Sequence, residues 1–162
     1  MVVDYNLLAE QAAALLEGES DYIANAANFA AFVYHEVPEL NWAGFYFSDD
    51  HGDLVLGPFG GRPACTRLPH GRGVCGIAAV QGETIVVDDV DAFADHIVCD
   101  TASKSEIVVP LRDGATVYGV FDIDSPKPAR FSEADRAGIE SLVSVFLKAA
   151  SNRRAAVAYR SR

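Results

Sequence analysis

The run Ile107-Val108-Val109-Pro110-Leu111-Arg112-Asp113-Gly114-Ala115-Thr116-Val117-Tyr118-Gly119-Val120-Phe121-Asp122-Ile123 decides the fold class. Two apolar stretches, residues 107–111 and 117–123, flank the pair Asp113-Gly114. Asp-Gly supplies the positive-φ positions that a tight hairpin turn demands, so the stretches read as antiparallel partners. The same logic holds upstream. Aromatic residues 42–47 read as a strand, Asp49-Asp50-His51-Gly52-Asp53 as a turn, and residues 54–56 as the return strand. Residues 57–63, rich in Gly and Pro, read as a loop. Short strands are expected at 65–68 and 84–87. Between them Gly71-Arg72-Gly73 precedes a small helix at 74–81.

Helical spacing brackets this strand-rich middle. Tyr5, Leu8, Ala12, Leu15 and Leu16 recur at helical intervals, and Gly18 ends that segment. Ser20 or Asp21 can cap a second helix with Ile23, Ala26, Ala27, Ala30 and Val33 inside and Pro38 closing it. Ser132-Glu133-Ala134-Asp135 is a capping signature for a long last helix. Its inner face carries Ile139, Leu142, Val143, Phe146 and Leu147. The class is α+β: a mainly antiparallel central sheet with the terminal helices on one face. The longest connection, residues 88–103, is acidic and irregular, with one helical turn expected near Val90. Connections of that length in compact domains are usually functional or disordered.

The 162 residues suit one domain, expected over residues 1–152, with a basic tail at 153–162. Four of the 13 basic residues (Arg153, Arg154, Arg160 and Arg162) lie in that tail. The rest of the chain holds 9 basic residues (13 less 4) against 23 acidic ones, a net of −14. Such a body repels phosphate backbones, so nucleic acid is not an expected partner. No apolar run approaches the roughly 20 residues of a membrane span. Met1-Val2-Val3-Asp4 lacks the basic start of a secretory leader. Neither membrane association nor export is expected, and the cytoplasm is the expected compartment. Three cysteines, separated by 10 and 24 residues, make neither a disulfide framework nor a zinc-ligand spacing, so no metal is expected.

Several residues could carry chemistry. Cys99 lies on the long loop in His96-Ile97-Val98-Cys99-Asp100. His96 would favour its thiolate, and Asp95 and Asp100 would oppose it. Cys65 and Cys75 flank the glycine-rich segment, and Cys75 opens the small helix, a position that can lower a thiol pKa. Three inert thiols are the bland alternative. Asp122 and Asp124, two apart on a strand, share one face, and Glu106 opens the neighbouring strand. Like charges on one face are costly unless solvated or facing a cation, and an exposed strand end is the plain alternative. Two carboxylates could also suggest metal binding or glycosidase chemistry, but no histidine joins them at ligand spacing and nothing else supports either. Trp42 and Tyr46 also share a face, as core residues or as the apolar wall of a small pocket.

Six stretches, in order, resemble one family. They are Asn41-Trp42-Ala43-Gly44-Phe45-Tyr46, Leu56-Gly57-Pro58-Phe59, Gly71-Arg72-Gly73-Val74-Cys75-Gly76, His96-Ile97-Val98-Cys99-Asp100, Ser105-Glu106-Ile107-Val108-Val109-Pro110-Leu111 and Gly119-Val120-Phe121-Asp122-Ile123-Asp124-Ser125. They resemble the free methionine-(R)-sulfoxide reductases, single GAF-domain enzymes, from about residue 5 to residue 150. The resemblance implies a GAF-like fold, with a short helix and long loops forming a pocket on the face opposite the terminal helices. It implies Cys99 as nucleophile, Cys65 as the main resolving cysteine and Cys75 as an auxiliary, exchanging thiol. Trp42 and Tyr46 would line the pocket for the thioether end. Glu106, Asp122 and Asp124 would hold the ammonium group and the sulfoxide oxygen, and loop backbone N–H groups the carboxylate. It also implies free L-methionine-(R)-sulfoxide as substrate, thioredoxin or a similar dithiol as reductant, no metal or organic cofactor, and a homodimer.

The chemistry asks for these residue types. Sulfoxide sulfur becomes attackable when its oxygen is protonated or hydrogen-bonded, and crowded carboxyls keep a proton near neutral pH. The thiolate then gives a sulfenic acid, which a second thiol condenses to a disulfide before over-oxidation. Two other readings compete. A GAF-type binding module would not need the cysteines, but 162 residues leave no expected second domain to receive its signal. A peroxide-sensing thiol protein would need neither Trp42, Tyr46 nor the carboxylates.

Overall fold

The computed structural model describes residues 3–150. The expected boundary after residue 152 and the basic tail lie outside the described residues.

Four helices and six strands follow the order α1 (Tyr5–Leu16), α2 (Tyr22–Glu36), β1 (Trp42–Ser48), β2 (Leu54–Gly61), β3 (Arg67–Leu68), α3 (Gly73–Gln81), β4 (Ile85–Val87), β5 (Ser105–Asp113), β6 (Thr116–Ser125) and α4 (Glu133–Ala149). A 3-10 turn at Val90–Ala92 lies where one was expected. Side chains cap the long helices as the sequence asks. Asp4 accepts from the Leu7 N–H (3.1 Å), Asp21 from the Ala24 N–H (2.8 Å), and Ser132 and Asp135 form a reciprocal capping box.

All strand pairs are antiparallel, in the order β3-β2-β1-β6-β5-β4. Strand period two then sorts side chains between the faces. Phe45, Ile107, Phe121 and Ile123 point to one face and join Phe29 of α2 and Phe146 of α4 in the larger core. Trp42, Tyr46, Val108 and Val120 point to the other, where α3 and the 88–104 loop cover them. No helix among the described residues is long and apolar enough to cross a membrane.

Three expectations need correction. β2 runs to Gly61, through the stretch expected to be a loop. Its register slips between Gly44 and Tyr46, so that Gly57 and Pro58 bulge opposite Phe45, and a bulge tolerates a proline that cannot donate to the ladder. A Cβ on Gly57 would lie 2.6 Å from the Phe47 ring, so glycine is there for close packing inside a strand. Second, the inner face of α2 is rotated. Ile23 (40% exposed) and Ala27 face outward, while Tyr22, Asn25 and Phe29 are buried. Tyr22 sets that rotation by packing edge-on against Phe47 and Phe146, both at 5.5 Å between centroids. Third, Leu15 of α1 is also exposed, and residues 65–66 stay outside β3.

Candidate active site

The register across the sheet builds the site. Trp42, Asp124 and Glu106 occupy one row across β1, β6 and β5, and Gly44, Asp122 and Val108 occupy the next. A Cβ on Gly44 would come within 2.6 Å of the Trp42 indole and 2.4 Å of the Phe59 Cβ. The glycine therefore lets the indole lie flat between Phe59 (5.5 Å, interplanar 17°) and Tyr46 (5.8 Å, 28°). Trp42 Nε1–H donates to the Arg62 carbonyl (3.1 Å), and the Tyr46 hydroxyl donates to the Cys65 carbonyl (2.8 Å). The aromatic wall is thus fixed to the segment that carries Cys65.

A cavity opens beside this wall. Trp42, Tyr46, Cys75, Cys99, Glu106, Asp122 and Asp124 all line it. Cys65 is not on the lining but is bonded to Cys99, with their Cα atoms 5.3 Å apart. The structure thus brings together all eight residues singled out from sequence. Arg72, Gly73, His96 and Ser103 add polar edges. Ser103 was missed, and so was Asn41, whose amide Nδ2 donates to Ser103 Oγ (3.0 Å) and Asp100 Oδ2 (3.2 Å). Both tie the cysteine loop to the start of β1. Their only sequence signal was a polar residue at each end of a conspicuous segment.

The long loop is held by polar ties. Arg72 clasps Asp95 with two charge-assisted hydrogen bonds, Lys104 pairs with Asp91 (3.0 Å), and the Val90 N–H donates to the Lys104 carbonyl (3.0 Å). Asp95 holds φ at 70° there. The charges weighed around Cys99 are therefore engaged elsewhere: Asp95 on Arg72, Asp100 on Asn41. His96 directs Nε2 at Glu106 Oε2 (3.8 Å), and burial lowers its pKa.

The carboxyls are the electrostatic centre. Glu106 and Asp122 are 6% and 7% exposed, and Asp124 is partly buried. Burial raises the pKa of all three, to about 7 for Asp122, and the Asp122 charge raises Glu106 and Asp124 further. The cluster shares its protons and holds at least one near neutral pH. Cys75 opens α3, a position that can lower a thiol pKa, but here the opposite holds. Burial and the Asp122 and Glu106 charges push its pKa up, so it is a neutral thiol in the closed site. Its Sγ–H donates to Glu106 Oε1 (3.9 Å). Donor atoms of Cys75, Glu106 and Asp122 lie within 4.8 Å of one another, the arrangement here that could hold a metal ion. Asp122 Oδ1 and Asn41 Oδ1 are buried without a hydrogen-bond partner.

A pocket with an aromatic wall, buried acids and a disulfide beside it has the shape and charge to take a small cationic ligand. Comparison with known proteins places it. The GAF domain family matches residues 24–146. The chain is 52% identical to Protein YtsP of Bacillus subtilis, over 90% of both chains. It is 47% identical to the free methionine-R-sulfoxide reductase of Escherichia coli, over 80% of this chain and 78% of that one. The crystal structure of the free methionine-R-sulfoxide reductase of Neisseria meningitidis in complex with its substrate superimposes with a TM-score of 0.88 at 44% identity, covering 94% of this chain and 92% of the other. Likeness of that extent, over the strands and loops that carry the pocket, means that the chain belongs to the GAF-domain family and, within it, to the free methionine-R-sulfoxide reductases.

Proposed function

We propose that the protein reduces free L-methionine-(R)-sulfoxide to L-methionine in the cytoplasm. One observation carries the reading: Cys99 lines the same small cavity as three proton-sharing carboxyls and the Trp42–Tyr46 wall. The substrate ammonium pairs with the carboxyl cluster, and its methyl thioether end lies on the indole. Its carboxylate meets backbone N–H groups of the cysteine loop, beside the start of α3, where Arg72 makes no capping bond of its own and only Asp95 reaches the Gly73 N–H (3.5 Å). A methionine inside a peptide lacks the ammonium and would leave buried carboxylates unpaired, at a cost of about 1–3 kcal/mol or more.

The reaction begins with both Cys99 and Cys65 reduced. A protonated carboxyl of the cluster donates to the sulfoxide oxygen, and the Cys99 thiolate attacks sulfur. Oxygen passes to Cys99 as a sulfenic acid, and methionine leaves as the thioether. Cys65 then attacks the Cys99 sulfur, the S–O bond breaks, water departs, and the Cys65–Cys99 disulfide forms. The Cys65–Cys99 bond in this structure supports that pairing. Cys75 is an exchange thiol. A dithiol such as thioredoxin returns two electrons and two protons by thiol–disulfide exchange. No metal or organic cofactor takes part, and the working unit is a homodimer.

A coupled thioredoxin/NADPH assay with the free R epimer, the free S epimer and a peptide-bound sulfoxide tests this. Turnover of the free R epimer alone is expected. Failure of pre-reduced protein to release methionine in a single turnover would sink the reading. Single turnover without recycling would replace only the reductant. Light scattering at micromolar protein checks the dimer.

A further inference from the structure

Cys75 is the chain's only free thiol in the disulfide form, and the reaction above gives it no required step. Its neighbours are not those of an inert core cysteine. Cys75, Glu106 and Asp122 come from α3, β5 and β6 and are 4%, 6% and 7% exposed. One sulfur and one oxygen from each carboxylate fall within 4.8 Å of one another. A second observation points the same way. Asp122 Oδ1 is buried on the cavity lining with no donor, and a buried carboxylate oxygen without a partner is costly. Substrate ammonium would answer that oxygen while bound; once it leaves, among the described residues only the shared protons of Cys75 and Glu106 stand beside the Asp122 carboxyl.

We propose that Cys75, Glu106 and Asp122 form a binding site for a thiophilic divalent cation, of which zinc is the physiological example, and that this cation and the substrate exclude one another. One thiolate with two carboxylate oxygens suits a borderline-soft ion, whereas magnesium and calcium favour all-oxygen shells. With Zn–S near 2.3 Å and Zn–O near 2.1 Å, a tetrahedral site puts sulfur and oxygen about 3.6 Å apart. Cys75 Sγ and Glu106 Oε1 stand at 3.9 Å, a few tenths of an ångström from that spacing, and the Asp122 oxygen closes in from within 4.8 Å of both. Three protein donors leave one position for water. His96, with Nε2 3.8 Å from Glu106 Oε2, can orient the ligating carboxylate from behind. Binding displaces the thiol proton and the protons of the two carboxyls into solvent. The spacing argument excluded a contiguous zinc motif; here the donors come from three elements, which spacing does not see. Neither Cys65 nor Cys99 is a ligand, so the site exists with the disulfide closed. The exclusion rests on the reading that the substrate ammonium meets these carboxyls; the metal site does not.

The test is a cadmium titration of the oxidised protein, its disulfide verified by mass, so that Cys75 is the only thiol. The expected result is an ultraviolet thiolate-to-metal charge-transfer band saturating at one cadmium per chain and reversed by excess zinc. Glu106→Gln and Asp122→Asn should each weaken the apparent affinity at least tenfold. Cys75→Ser, with its fold checked by circular dichroism, should show no band. Wild type without a band at millimolar cadmium, or full affinity in both carboxyl variants, overturns the site. Saturating free methionine sulfoxide should raise the cadmium midpoint severalfold, and an unmoved midpoint overturns the exclusion. Single turnover of reduced protein in chelator judges the reductase reading separately.

Discussion

The two faces of the sheet are built from the same strands to opposite rules. On the helix face, Phe29, Phe45, Phe121 and Phe146 pack with centroids 4.6 to 6.0 Å apart, and the strand side chains between them are apolar. On the pocket face, one residue along the same strands, stand Glu106, Asp122 and Asp124, with an aromatic wall and three cysteines around them. The first face lowers the free energy of the fold. The second raises it, because burial holds carboxyls away from their ordinary ionisation. A strand can serve both ends because its neighbours in sequence never meet the same environment.

The largest expected effect separates function from fold. Cys99→Ser should lower turnover by at least about a thousandfold, the loss expected when the proposed nucleophile is removed. Compared with wild type in excess reductant, where no disulfide contributes, its melting curve should be unchanged. A variant that melts early would show that Cys99 packs as core and would blur the division between the faces.

Phe121→Ala, one residue from Asp122, is the converse. It removes a fully buried ring touching Phe29 and Phe45 and should cost about 3–5 kcal/mol in denaturant unfolding. Whatever folded protein remains should keep a wild-type KM.

Asp122→Asn should act on both ledgers and in opposite directions. Its carboxyl, raised to about 7 by burial, stays protonated in the fold after the unfolded chain has ionised. The unfolded state then holds fewer protons, so wild-type stability is fully present below about pH 4 and declines as pH rises to about 7. The linkage is worth on the order of 4 kcal/mol at most. Thermal melts at pH 5 and pH 8 should show a smaller loss for Asp122→Asn than for wild type, while its kcat/KM falls roughly a hundredfold. A steeper loss in the variant would mean that another carboxyl holds the proton.

How much of this was legible in the sequence follows from how local each cause is. The β5–β6 hairpin, the Asp21 cap and the Ser132 capping box are decided within four residues and all are present, the hairpin turn falling one residue late, on Gly114-Ala115, with Asp113 still paired to Thr116. β2 was cut short because the reason for Gly57 is a ring on another strand, and α2 was rotated because Tyr22 answers to Phe47 and Phe146. In the site, period two put Trp42 with Tyr46 and Asp122 with Asp124. It could not put Glu106 beside Asp124, because that needs the register of β5 on β6, which slips between Leu111 and Arg112. The roles of the three cysteines came from resemblance. Asn41 and Ser103 act by reaching across the chain to each other, and single-residue patterns carry no trace of that.

The smallest expected effect concerns how the two faces are held. The helix face is fixed by packing, whereas the cysteine loop over the pocket is tied by polar contacts and by the Cys65–Cys99 disulfide, which the proposed reaction breaks before each turnover. Asp95→Asn is the sharpest probe of those ties. Asparagine accepts the left-handed backbone that Asp95 adopts (φ 70°), so the substitution removes charge without adding strain. The Arg72–Asp95 pair is solvent-exposed and screened, so melting curves should overlay those of wild type. The loop would nonetheless lose its clasp to the start of α3, where the proposed function seats the substrate carboxylate. KM should rise a few-fold with kcat nearly unchanged, and the rise should match what high salt does to wild type. A salt-independent wild-type KM would mean that the hydrogen bonds of Asn41 to Asp100 and Ser103, rather than the ion pair, hold the loop over its pocket.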